Sequence, residues 1–152
     1  VVINIMFAGP NNKYKDDLRN LVKSFELDKQ ITWSDIISNE LKWGAITASK
    51  GMVLSSHGEN FGVSLIESLS CGKPVLTTYK VNIYPNILEK KCGFISKNNI
   101  KDFTKILFKF NNLNKAKHQI LSENSIKCFN DNFSLDKKNF YFSNFFKKQK
   151  KI

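Results

Sequence analysis

Arginine is almost missing from this chain: of 24 basic residues only Arg19 is one, so the formal charge of +11 rests on lysine. Such a charge would ordinarily suggest nucleic acid or an anionic membrane as partner. Bidentate readout of phosphate or guanine uses arginine, however, and the lysine comes with abundant asparagine and isoleucine, as in a lysine-rich proteome. Nucleic acid is therefore not an expected partner, and a polyanion-binding domain is an alternative supported by net charge alone. Cysteine is also scarce. Cys71, Cys92 and Cys128 are an odd number with no C-x-x-C, and His57 and His118 are the only histidines, too far apart for ligand spacing. This excludes a disulfide framework and a zinc site of familiar pattern, and a reduced, metal-free, cytoplasmic protein is expected. No apolar run reaches the roughly 18 residues of a membrane span, and no charged-then-apolar leader precedes the first strand. There is no internal repeat and no low-complexity linker. One domain over residues 1–152 is expected, and its start on Val1, without an initiator methionine, suggests a fragment of a two-domain protein.

What is present is a globular composition, 41% hydrophobic and 12% aromatic, which can bury a core. Val2 to Phe7 reads as a buried strand ended by Ala8-Gly9-Pro10. Leu18, Leu21, Val22 and Phe25 recur at helical spacing and predict an amphipathic helix over about Tyr14 to Leu27. Ile31 to Trp33 is a second strand, Ser38 to Ala48 a helix, and Gly51 to Ser55 a third strand. A helix over about Phe61 to Ser70 closes at Cys71-Gly72, where glycine tolerates a left-handed conformation. Pro74 to Thr78 and Cys92 to Ser96 are further strands, and Ile100, Phe103, Leu107 and Phe110 place a helix after Asn98 and Asn99 as capping candidates. Strands alternating with helices predict an α/β fold, a Rossmann-like parallel sheet flanked by helices. At the end, Ser134 can cap a helix over residues 133–146 that carries Leu135, Phe140, Tyr141, Phe142, Phe145 and Phe146. Those rings either dock outside the domain or wrap its own core. Lys147, Lys148, Lys150 and Lys151 form a solvated tail or a peripheral membrane contact.

The chemistry concentrates between His57 and Val75. A buried strand runs into the polar loop Ser55-Ser56-His57-Gly58-Glu59-Asn60 and on into a helix, and in an open α/β sheet ligands bind at that strand end. The first amides of the helix, around Phe61 to Ser64, lack intrahelical acceptors and lie at the positive end of its dipole, which suits a phosphate or diphosphate. Gly58 and Gly62 allow a tight turn and close approach of a ligand. Glu67 falls four residues after Val63, on one helix face, so one ligand is within reach of both Glu59 and Glu67. A carboxylate beside a diphosphate needs hydroxyl donors, and a vicinal diol supplies two, which points to ribose or hexose. The plainer reading is that Glu67 caps or salt-bridges a lysine on its own helix. His57 either hydrogen-bonds a sugar or phosphate or is an exposed loop histidine.

Glu59-Asn60-Phe61-Gly62, then Glu67, then Gly72-Lys73-Pro74-Val75 resembles the E-x7-E motif of glycosyltransferase family 4, the glycosyl transferases group 1. The likeness extends from Phe7-Ala8-Gly9 to Phe133-Ser134-Leu135. It implies the C-terminal, donor-binding half of a GT-B fold, in which two Rossmann-like domains face a cleft. It also implies transfer of a sugar from a nucleotide-diphosphate donor with retention of configuration, through an oxocarbenium-like transition state stabilised by the diphosphate. No cofactor or metal is implied, and the sequence has no D-x-D. By the same resemblance Glu59, the candidate catalytic residue, contacts hydroxyls of the transferred sugar, and Glu67 contacts the ribose. Backbone around Asn60, Phe61, Gly62, Val63 and Ser64, with Gly58, holds diphosphate and sugar, and Trp33 and Ser34 lie beside the base. His57 and Asn82 are further candidates. The acceptor, a glycan or lipid-linked molecule, would be bound through the other domain, in a parent protein that builds cell-surface glycans at the cytoplasmic face of a membrane. An alternative is a nucleotide-sugar-binding module that has lost catalysis. Three departures stand out. Ser55-Ser56 replaces the frequent Pro-Ser, and Lys80-Val81-Asn82-Ile83 replaces a Gly-Gly loop. The family's Arg and Lys that balance the diphosphate charge match nothing here.

Overall fold

The computed structural model describes residues 2–134. The chain divides into two compact units, Val1–Ala45 and Ile46–Ile152, with the boundary inside a helix. In the first unit, β1 (Ile5–Ala8) pairs in parallel with β2 (Ile31–Ser34), joined by α1 (Lys13–Ser24), and α2 (Asn39–Ala48) follows. Asn12 caps α1, its side chain accepting from the Lys15 amide. The expected buried strand over Val2 to Phe7 is corrected here. The strand starts later and is largely exposed, with Phe7 at 39%, because it belongs to a two-stranded sheet.

The second unit carries β3 (Met52–Leu54), α3 (Val63–Ser70), β4 (Val75–Thr78), α4 (Tyr84–Lys90), β5 (Gly93–Ser96), α5 (Ile100–Asn111) and α6 (Lys115–Asn132). Its sheet is parallel in the order β3-β4-β5. All four residues of β4 are buried, as a central parallel strand covered on both faces requires. Leu65, Leu69, Val75, Val81, Ile87, Cys92 and Cys128 are fully buried in one core. Each large aliphatic side chain among them contributes about 1.5–3 kcal/mol by leaving water. Gly93 lies so close to β4 that a Cβ there would run into the Val75 carbonyl.

Sequence periodicity missed two helices. α4 begins with Tyr84-Pro85, and proline is tolerated in a first turn because its missing N–H would have no partner there. Only seven residues long, it is too short to display a period. α6 is long, but its inward face is built from Leu121, Ser125, Cys128, Phe129 and Asn132, a stripe half polar and thus hidden from a hydrophobicity pattern. Ser125 is nevertheless fully buried, donating its one hydroxyl proton to the Leu121 carbonyl (2.8 Å), with the Cys92 carbonyl a second acceptor at 3.4 Å. Phe133 and Ser134 close α6, each N–H bonding the Phe129 carbonyl. The helix expected over residues 133–146 lies, beyond Ser134, outside the described residues. Among the described residues no helix is long and apolar enough to cross a membrane.

Candidate functional site

The loop between β3 and α3 is pinned from below and from the side. Thr77 and Thr78, buried on β4, donate their hydroxyls to the carbonyls of Leu54 (2.8 Å) and Ser56 (3.0 Å), the groups left over where the β3–β4 ladder ends. Ser56 then folds the chain tightly: its hydroxyl accepts from the Gly58 amide at 3.2 Å and donates to the Gly58 carbonyl at 3.0 Å. Beyond it, Glu59 forms an isolated parallel bridge with Val81, its N–H donating to Lys80 O (3.1 Å) and its carbonyl accepting from Asn82 N (3.0 Å). Because Val81 is fully buried, the bridge anchors Glu59 to the core. The loop Lys80-Val81-Asn82-Ile83 thereby acts as the support for the Glu59 loop, and Asn82 enters through its backbone amide.

Gly62 is the N-cap of α3 and takes φ +59°, a left-handed conformation that disfavours a Cβ. Its carbonyl accepts from both Leu65 N (2.9 Å) and Ile66 N (3.2 Å), and no side chain caps the helix. The amides of Val63 and Ser64 therefore point out of the helix end without an intrahelical acceptor. α3 begins at Val63, so the expected start at Phe61 is corrected by two residues. Phe61 and Asn60 belong to the loop, where the Phe61 N–H approaches Glu59 Oε1 at 3.5 Å and its ring meets Phe133 edge-on. At its other end α3 closes with Gly72 at φ +68°, Gly72 N bonding Leu69 O (3.0 Å) and Lys73 N reaching Ser68 O (2.9 Å). This is the Schellman closure, and it accounts for the glycine of the Gly-Lys-Pro-Val run. Leu65, Ile66 and Leu69 hold the helix to the core. Val63, Ser64 and Glu67 stay at least partly exposed, with Glu67 one turn below Val63. No lysine lies within Val63–Ser70, so a lysine partner on Glu67's own helix is excluded.

The sequence did not mark Asn98 as a site residue. Its side-chain amide lies 2.7 Å from His57 Nδ1, tying the β3–α3 loop to the turn after β5. With the amide as donor, Nδ1 is unprotonated and the ring proton sits on Nε2. Asn99 caps α5, accepting from Asp102 N, so the two adjacent asparagines divide between capping and the site. Two adjacent asparagines where a cap needs one are the signal that the sequence carried. Hydrogen bonds from Asn99 and then Lys105 hold the Asp102 carboxyl below its usual range. His118 lies elsewhere, its Nε2 2.8 Å from the Lys50 carbonyl.

In the first unit, Trp33 stacks on its strand neighbour Phe7 (centroids 5.1 Å apart), with the Arg19 guanidinium 5.5 Å from the Trp33 ring centroid. Its ring thus faces α1, while the Ser34 carbonyl stands at the strand end and accepts from Gly9 N (3.3 Å) and from Lys15 Nζ (2.6 Å). Among the described residues no group of three or more His, Cys, Asp or Glu side chains is placed to share a metal ion.

The parallel α/β architecture is that of GT-B glycosyltransferases. Solved structures agree at the level of fold. Sucrose-phosphate synthase from Thermosynechococcus elongatus superposes with a TM-score of 0.80 at 16% identity, over 95% of this chain and 38% of that one. Anabaena HepE, solved in complex with UDP and glucose, gives 0.80 at 14% identity over 95% and 40%. The model of the family "Glycosyl transferases group 1" matches residues 1–127, and the chain belongs to that family. It is also 24% identical over 141 residues to the alpha-1,3/1,6-mannosyltransferase ALG2 of Dictyostelium discoideum. That match takes in 87% of this chain but only 33% of the relative, so the chain spans about a third of the protein it resembles.

Proposed function

We propose that this chain is the donor-binding half of a retaining glycosyltransferase that acts in cell-surface glycan synthesis at the cytoplasmic face of a membrane, taking a nucleotide-diphosphate sugar. The observation that carries the reading is the end of α3: two helix-end amides, left open by a left-handed glycine, beside a glutamate loop bridged to the core. Amides at a helix N-terminus receive a diphosphate, and Glu59 and Glu67 receive hydroxyls that would offset their charge beside it. Glu59 is assigned to the transferred sugar and Glu67 to the ribose, with Trp33 and Ser34 of the first unit assigned to the base. Catalysis in this reading is electrostatic: the amides stabilise the charge that builds on the departing diphosphate, and the acceptor comes through a facing domain. HepE's complex with UDP and glucose lends support through the shared fold.

Calorimetry on two variants tests the assignment. Glu67→Ala is expected to cost about 1–3 kcal/mol in affinity for the nucleotide diphosphate and its sugar alike, because hydroxyls lose their acceptor. Glu59→Ala is expected to weaken only the nucleotide sugar. Unchanged affinity in folded Glu67→Ala, or equal losses for both ligands in Glu59→Ala, would overturn the assignment.

A further inference from the structure

Lys15 is buried, its side chain 7% exposed, in a unit whose surface is otherwise open. An ammonium is rarely buried unless its protons all find acceptors. Here three acceptors surround Nζ: Gly9 O at 2.9 Å, Ser34 O at 2.6 Å and Asp35 Oδ1 at 3.5 Å. Asp35 is in turn held by Asn11 Nδ2 at 2.6 Å. The turn after β1 and the turn after β2 are thereby clamped through one charge, at the carboxyl ends of two parallel strands, where α/β sheets take their ligands. Beside the clamp, Phe7, Gly9, Tyr14, Lys15, Leu18 and Trp33 border a niche of about 170 Å³. Three aromatic rings and a short run of backbone polar groups suit a flat, hydrogen-bonding heteroaromatic ring.

We propose that Lys15 is a positioning residue for nucleobase recognition: by holding the Gly9 and Ser34 carbonyls, it fixes the two turns whose remaining backbone groups form the polar edge against which a base is read. The inference rests on the donor reading above. A base pairs with groups at fixed spacing, and a misplaced acceptor leaves it partly unmatched, so the clamp sets discrimination between bases rather than bulk affinity for phosphate.

Two measurements on the full chain test this. The first needs no ligand: a lysine-selective ¹H–¹⁵N spectrum should show one slowly exchanging ammonium, absent in Lys15→Met. The second is ligand-observed NMR with UDP, ADP and GDP. Wild type should prefer one base, and Lys15→Met, which keeps the buried stem, should bind that nucleotide roughly tenfold more weakly and lose the preference. Asp35→Ala and Asn11→Ala, at the solvent end of the clamp, should move the preference in the same direction by less, and they serve if Lys15→Met does not fold. Folded variants with unchanged base preference would reduce Lys15 to a staple and overturn the inference, leaving the donor reading intact. Failure of wild type to bind any of the three nucleotides, with the protected ammonium still seen, would overturn the donor reading and this inference with it.

Discussion

Gly58 and Gly62 stand four residues apart in the same loop, and the structure assigns them different work. Gly62 sits at φ +59°, and a Cβ there would lie 3.1 Å from Cγ1 of the fully buried Val81. For Gly62→Ala the left-handed backbone costs about 1–2 kcal/mol. The tight contact adds a few tenths of a kcal/mol if Val81 yields, for a total near 2 kcal/mol. Gly58 has no positive φ and nothing within 4 Å of its added Cβ. Gly58→Ala is therefore expected to leave stability within about 0.5 kcal/mol of wild type. Its effect should fall on ligand affinity, because a methyl group would keep a sugar or phosphate from the backbone. Urea unfolding gives the first pair of values and ligand-observed NMR with a nucleotide sugar the second. Neutral Gly62→Ala would refute the argument from backbone conformation. Gly58→Ala that binds nucleotide sugar as wild type does would refute the close-approach argument.

His57→Ala and Asn98→Ala are each expected to weaken nucleotide-sugar binding by a similar factor, with the double variant no worse than either, since one group acts through the other; additive losses in titrations would separate them. The neighbouring Cys128 thiol and burial push the Cys92 thiol well above its usual range, while Cys92 in turn pulls the Cys128 thiol below its own. Cys128, with its thiol lowered, adds stability as pH rises toward the unfolded value of about 8.5. Above that the unfolded chain has released the Cys92 proton that the folded chain keeps, so stability falls with pH, by about 1.4 kcal/mol per pH unit. Urea midpoints from pH 7 to 10 should show that slope, and Cys92→Ala, though less stable, should lose this part of it. On its own the 152-residue chain is expected to bind nucleotide sugars no better than about millimolar and to transfer none, because its sequence does not match the Arg and Lys motifs by which the family balances the diphosphate charge. Transfer by the isolated chain, abolished in Glu59→Ala, would contradict this, and a polypeptide that includes the facing domain should be active.

The order of strands and most helices was legible in the chain because each element carries a local mark: β-branched runs for strands, a 3.6-residue stripe for α1 and α5, and Gly72 for the end of α3. That Glu59 falls on a loop and Glu67 on the helix that follows was legible for a similar reason, from the strand-loop-helix pattern, whereas the roles given to the run from Glu59 to Val75 came from its resemblance to the family motif. α4 and α6 were hidden because the first is too short to show a period and the second buries Ser125 and Cys128 where a pattern needs leucine. Other features exist only between residues distant in sequence. The Glu59–Val81 bridge and the His57–Asn98 pair join segments 22 and 41 positions apart, and the Lys15–Ser34 bond spans 19. A parallel sheet brings together the ends of strands that the chain separates by whole helices, so its site is assembled from several loops at once. Local propensity decides where each loop falls. Only the packing of β3, β4 and β5 decides that Asn98 faces His57, and only that of β1 and β2 buries a lysine between two turns.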